Sequence, residues 1–263
     1  MRLGCLPYLN VRPLVHYLEQ GGLPRGWELV YAPPSQLARM LLLEEIAAAP
    51  VSSYAVLANP QLSVCPGICI SSDGPVKSVL MFSKVPIPEV RVVALDTSSL
   101  SGANMLKIIL AEMYDVHPDF RLTAPEKASE ALQLSDAVFL IGDTAMLHPK
   151  DGLIVLDVGE EWKRLAGLPA VFALWAGVGL SPQLVGILLH SRDEGMRNIE
   201  SIAREEAIRL ELPYEVSYDY LAHTIRYNLG ESEMLSLNVF REKCIAHGLL
   251  DERTCRNTEI LAR

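Results

Sequence analysis

ICISSDGPVKSVLMFSKVPIP, residues 68–88, sets three serines, an aspartate, a Gly-Pro turn and a lysine between two apolar runs, and its reading decides the fold. Asp-Gly and Gly-Pro are turn dipeptides, so the local expectation is a strand, a tight reversal and a second strand. Such a turn is either a polar hairpin loop on the surface or a loop that carries small hydroxyl groups into a cleft. The following run, VLMFSKVPIP (79–88), leaves through prolines, and together with PAVFALWAGVGL (169–180) it reads as a connector between two halves of the chain. If both connectors cross, residues 88–174 form one lobe, and 1–87 with 175–263 form the other. The expected fold class is α/β, a two-lobed clamshell in which each lobe is a mixed, mainly parallel sheet flanked by helices, followed by a helical C-terminal segment.

The rest of the chain supports that expectation. RLGC, WELVY, IAAAP, RVVAL, DAVFLIG and LIVLDV read as strands, and most are followed by helical patterns, the signature of parallel α/β units. Helices are expected at PSQLARMLLLEEI (34–46) and SGANMLKIILAEMY (101–114), the second ending ahead of Pro118. From Ser181 to Leu249 the pattern is almost wholly helical, with breaks near Leu212-Pro213 and at Gly230. No internal repeat stands out in the sequence.

The chain has 263 residues, half of them hydrophobic, and a formal net charge of -9. That length sustains well-formed cores. The negative charge gives nucleic acid or an acidic membrane surface no electrostatic attraction. No stretch has the length and apolarity of a membrane span, and the start, MRLGCLPYLNVRPL, lacks a signal-peptide pattern, so a cytoplasmic location is expected. Cys5, Cys65, Cys69, Cys244 and Cys255 form no CxxC pair and are expected as free thiols. The six histidines are scattered and no phosphate-binding glycine motif occurs, so neither a metal site nor a nucleotide loop is supported.

The residues just after the strands are small and polar: Pro7-Tyr8-Leu9-Asn10, Pro33-Pro34-Ser35, Val51-Ser52-Ser53, Asp96 to Ser101, and Gly142-Asp143-Thr144. Singly, each is an ordinary helix cap. Several facing one cleft would form an anion site, because helix-start N–H groups and hydroxyls bind carboxylates without net positive charge. Arg12 and Lys77 are the basic candidates near these loops, and Asp73 and Asp143 the acidic ones. No GxSxG elbow anchors a nucleophilic serine.

LPYLNVRPL (6–14), PVSSYAV (50–56), ISSDGPVKSVLMFSKVP (70–86), FLIGDTAML (139–147) and LDVGEEWKRLAGLPAVFALWAG (156–177) resemble the successive motifs of the chorismate dehydratases of the futalosine route to menaquinone. The resemblance extends into the tail at YDYLAHTIRYNLG. It implies a type II periplasmic-binding-protein-like fold, and conversion of chorismate to 3-[(1-carboxyvinyl)oxy]benzoate with loss of water and no cofactor. It also implies that the base is the substrate's own enolpyruvyl carboxylate. Carried over by motif, Asn10 and Ser78 match the family's active-site asparagine and serine. Ser52, Ser53, Ser99, Leu100, Ser101, Gly142 and Asp143 match segments that line its cleft. The chain departs from the family pattern at Pro7, Ala166 and Ala170, where the pocket wall is expected. A solute-binding or sensor protein, and the related 1,4-dihydroxy-6-naphthoate synthase, remain open alternatives, and the sequence does not set the oligomeric state.

Overall fold

A computed structural model describes residues 1–252 of the chain. Ten strands occur among them: β1 (Arg2–Cys5), β2 (Glu28–Tyr31), β3 (Ala49–Ser52), β4 (Ser63–Ser72), β5 (Val79–Ser83), β6 (Val92–Asp96), β7 (Asp119–Thr123), β8 (Ala137–Ile141), β9 (Ile154–Asp157) and β10 (Ala170–Gly177). β7, β6, β8, β5 and β9 form one sheet in that order, parallel from β7 to β8, with β5 antiparallel to both its neighbours. β1 pairs with β2 in parallel, and β3, β10 and β4 form a second ladder. A parallel bridge between Leu3 and Ala48 joins the two, with Gly4 N–H on the Ala48 carbonyl at 2.8 Å. The resulting order, β2-β1-β3-β10-β4, repeats that of the other sheet. Each lobe thus has the plan second, first, third, incoming antiparallel strand, fourth, although the sequence shows no repeat.

The incoming strands overturn the hairpin reading of 71–79. β4 and β5 do not pair with each other; the turn between them carries the chain from one sheet to the other. A dipeptide that favours reversal sets only local direction, whereas pairing partners are chosen by burial far along the chain. The chain passes between sheets at 73–78 and returns at 167–169, ahead of the boundaries expected at 87/88 and 174/175. β5 explains its own composition. Leu80 and Phe82 face one apolar layer and Met81 the other, so a strand covered on both sides is apolar throughout.

One carboxylate holds the first crossing. Asp157, at the end of β9, accepts the backbone N–H groups of Val76 (3.0 Å) and Lys77 (2.7 Å), and also caps the next helix, α7 (Val158–Ala166), through Gly159 and Glu160. Gly74 (φ +117) and Lys77 (φ +62) supply the left-handed backbone of the turn. Asp73, predicted as the turn aspartate, pairs with Lys163 at 2.6 Å and Arg226 at 3.0 Å, and the Lys163 bond leads in holding its pKa below the usual carboxylate value.

The helices that matter for the site begin at strand ends: α1 (Arg12–Tyr17) after β1, α3 (Ser53–Ala58) after β3, α4 (Ser101–Tyr114) after β6 and α6 (Gly142–Leu147) after β8. α2 (Pro34–Leu42) stops four residues short of the predicted end, with Glu44 in the left-handed region beyond it. The tail comprises α8 (Pro182–Arg197), α9 (Ile199–Leu210), α10 (Tyr214–Asp219) and α11 (Glu231–Ala246). The break at Asn198 was not expected; those at Pro213 and Gly230 were. The tail reaches back to the middle lobe, where the Trp162 indole donates to Ser236 Oγ at 3.0 Å. Cys5, Cys65 and Cys69 are buried free thiols, and burial raises Cys5 and Cys69 to about 12; Cys244 is buried, and Cys255 lies outside the described residues.

Asp157→Ala should lower unfolding free energy by about 2–4 kcal/mol, from one lost cap and the crossing N–H groups left unpaired. Asp219→Ala, which removes only the half-exposed partner of Lys77, should cost under about 1 kcal/mol. Urea unfolding of both variants checks the ranking, and the reverse order would mean that Asp157 does not hold the crossing.

Candidate active site

In open α/β sheets ligands sit beyond the carboxyl ends of the strands, at the point where strand order reverses. Here that point lies between the first and third strands of each sheet, and the two lobes turn these points toward each other. A cavity lies there. Leu6, Tyr8 and Asn10 reach it from the end of β1, Ser52 from β3, Ser98 to Gly102 from β6, and Ile141 and Gly142 from β8. β10 adds Phe172 and Ala173. None of the described residues that line it is charged.

Its polar wall has two parts. α4 starts at Leu100 with no side-chain cap, so the first-turn N–H groups of a 14-residue helix stand at the cavity, where the dipole favours an anion. Ser99 and Ser101 are therefore not caps. Ser101 instead joins the lobes: its Oγ lies 2.8 Å from Ser52 Oγ and 2.9 Å from Ser53 Oγ, and it accepts the Tyr54 N–H at 3.0 Å. Ser53 donates to the Val171 carbonyl at 2.6 Å. Ser53's proton being spent, Ser101 must donate to Ser53 and Ser52 to Ser101. Only the Ser52 proton can swing to a bound anion without breaking the rest.

The other part surrounds Asn10. Its Oδ1 is buried with no hydrogen-bond partner. Tyr220, from the wide turn after α10, donates to Ser78 Oγ at 2.7 Å. Ser78 is fully buried and does not itself line the cavity. Tyr8 lines the cavity together with Ser98, whose N–H and O–H are both held by Asp96 Oδ1. Asp96 is buried, its Oδ2 has no partner, and burial pushes its pKa up.

The predicted residues divide accordingly. Asn10, Ser52, Ser99, Leu100, Ser101 and Gly142 line the cavity; Ser53 and Ser78 stand one layer behind it. Gly142 has φ +61, a backbone that favours glycine, and a Cβ there would lie tightly, 3.1 Å, against the Tyr8 ring. Asp143 is a latch between lobes: Oδ1 accepts the Leu9 N–H at 2.9 Å and Oδ2 an Arg209 N–H at 3.2 Å, while burial raises its pKa. Arg12 and Lys77 do not meet a ligand here. Arg12 is committed to Glu19 and Glu206, and Lys77 to Asp219, because a long cation finds a nearby carboxylate before it finds a neutral cleft. Pro7, Ala166 and Ala170, the departures, are not among the lining residues. Tyr8, Ser98, Asp96 and Tyr220 were not singled out by the sequence reading. The first three stand within the quoted strand-end segments, and Tyr220 within the tail motif.

A family model described as menaquinone biosynthesis matches residues 1–246. The chain belongs to the menaquinone-biosynthesis family. It is 33% identical to the chorismate dehydratase of Thermus thermophilus, over 91% of this chain and 93% of that protein. It is 25% identical to the chorismate dehydratase of Campylobacter jejuni, over 95% of this chain and all of that one. Among solved structures it resembles an Archaeoglobus fulgidus protein (TM-score 0.78, 19% identity, covering 95% of this chain and 98% of that one). It also resembles the periplasmic aliphatic sulphonate binding protein of Escherichia coli (TM-score 0.69, 17% identity, covering 98% and 91%). These likenesses bear out the periplasmic-binding-protein-like fold. Among the described residues no helix is long and apolar enough to cross a membrane, and no three His, Cys, Asp or Glu side chains gather as a metal site would.

Asp143→Ala should speed hydrogen exchange at the Leu9 amide by at least about tenfold, since its acceptor in the other lobe is lost. Amides of β8 should keep wild-type protection. Equal exchange at Leu9 in both proteins would remove Asp143 as the latch.

Proposed function

We propose that this protein is a cofactor-independent hydro-lyase that converts chorismate to 3-[(1-carboxyvinyl)oxy]benzoate and water, acting in the cytoplasm on the futalosine route to menaquinone. The observation that carries this reading is the match to chorismate dehydratases along nearly the whole chain, with Asn10 at an interlobe cavity lined by no charged side chain. Chorismate is a dianion with one ring hydroxyl. A carboxylate suits the uncapped start of α4 and the Ser52 hydroxyl, and the ring hydroxyl suits the Asn10 side chain.

In the reaction the C3–H and C4–O bonds break and a double bond forms between these carbons, which makes the ring aromatic. The proton passes to the substrate's enolpyruvyl carboxylate and leaves with the C4 hydroxyl as water, so atoms and charge balance. The absence of charge from the lining residues fits this division of labour. The substrate brings its own base, and the protein holds it in reach of C3 and keeps water out. A protein carboxylate beside a dianion would work against binding. Asp143 and Asp73, the acidic alternatives, are already engaged in structural bonds.

Purified protein incubated with chorismate should yield the aromatic enolpyruvyl ether, with the same rate after exhaustive chelation. Asn10→Ala and Ser78→Ala should each lower kcat by about 100-fold while remaining folded. Tight binding of chorismate with no product would favour a carrier and overturn the proposal. Activity lost to chelator and restored by a divalent ion would overturn its cofactor independence.

A further inference from the structure

The chain around Asn10 is anchored on both sides. Just before it, the Leu9 N–H donates to Asp143 Oδ1 of the other lobe at 2.9 Å; just after it, Arg12 Nε donates to Glu206 Oε1 at 2.8 Å. Glu206 is 4% exposed, and its second oxygen takes Arg209 Nε at 2.6 Å. Arg209 in turn reaches Asp143 Oδ2 at 3.2 Å. The two anchors are therefore joined by one path, Asp143 to Arg209 to Glu206 to Arg12, which runs through the tail helix α9.

Where this path lies matters more than its strength. Tyr8 and Asn10 line the cavity on either side of Leu9, and Gly142 lines it next to Asp143. The bond from Leu9 to Asp143 thus sets the spacing of two cavity walls that belong to different lobes. A carboxylate held at one oxygen can pivot about that bond, and a second bond at Oδ2 fixes its plane. Arg209 supplies the second bond, and a planar guanidinium can serve two carboxylates at once, as an ammonium does less well. Its side chain is 44% exposed, and ion pairs so exposed add little to stability. α1 also has an independent hold on the tail. Ser191 Oγ of α8 donates to the Leu14 carbonyl at 2.7 Å, and a Cβ on Gly195 would lie 1.7 Å from the Pro13 carbonyl oxygen, so α8 sits directly on α1. We propose that Arg209 is a positioning residue for the dehydration: by fixing Asp143 against Leu9, and Arg12 through Glu206, it holds the segment that carries Asn10 at the spacing the reaction needs. This rests on the function proposed above.

The test compares wild type, Arg209→Met, Arg209→Lys, Asp143→Ala and the double variant Arg209→Met with Asp143→Ala on chorismate, with hydrogen exchange and thermal melting of each. Arg209→Met should lower kcat by about 10-fold with KM within about threefold, since small misplacements cost turnover. Its melting temperature should stay within about 3 °C of wild type, because α8 still holds α1. The Leu9 amide should exchange at least about threefold faster, while amides of α8 and β8 keep wild-type protection. Arg209→Lys, which holds one carboxylate in place of two, should fall between wild type and Arg209→Met. Added to Asp143→Ala, Arg209→Met should lower kcat by no more than about twofold, because it acts largely through that carboxylate. Wild-type kcat or wild-type Leu9 exchange in Arg209→Met would overturn the inference. So would losses that multiply in the double variant, or a fall in kcat matched by a lower melting temperature and faster exchange throughout α8, which would make Arg209 a packing residue. If wild type left chorismate unchanged, the function itself would fail, which is a different result from an active wild type with an equally active Arg209→Met.

Discussion

Each half of this molecule is completed by a strand lent from the other. β5 enters the middle sheet between β8 and β9, and β10 enters the outer sheet between β3 and β4, both as antiparallel strands with two full ladders. Removing either would expose two rows of backbone groups, so neither sheet is whole without the exchange. The chain must therefore cross twice between lobes, and both crossings lie beside the cleft. Relative motion of the lobes is confined to bending at 73–78 and 167–169, and the first is stiffened by Asp157.

This geometry explains how a chain of net charge -9 makes room for an anion. The first and third strands of both sheets point their carboxyl ends at one space, and the loops that follow bring N–H groups and hydroxyls with them. A buried ammonium or guanidinium would itself have to be stripped of water. Helix-start N–H groups are dipoles already oriented by the fold, and their alignment is independent of the ligand. The charged side chains near the cleft are engaged elsewhere: Asp157 fixes the crossing, Asp143 bonds across the lobes, and Arg12 pairs with Glu19 and Glu206.

Legibility in the sequence followed the range of the interaction. α4 matches its expected span of 101–114 because apolar period and a terminating proline are local signals. The α/β alternation was legible for the same reason. The hairpin at 71–79 was misread because its first strand finds its partner about a hundred residues later, in β10. Asn10, Ser52 and Ser101 were identifiable as polar residues at strand ends, but Ser101's bonds to the opposite lobe were not. Tyr220 was the least accessible. Tyr218, Tyr220 and Tyr227 stand in one motif, and only packing shows which of them reaches Ser78.

The strand exchange also orders the birth of the protein on the ribosome. Strands β5 to β9 span 79–157 without interruption, so the middle sheet can close once residue 157 has emerged. The outer sheet, begun first, must wait for β10 at 170–177, and Ser78 gains its phenolic partner only when Tyr220 arrives. Until then β3 and β4 each lack the neighbour that β10 supplies and are open to wrong pairing. A nascent chain arrested after β9 would therefore carry a folded inner lobe beside an unfinished outer one. The amino-terminal segment, synthesised first, is among the last to reach its final structure.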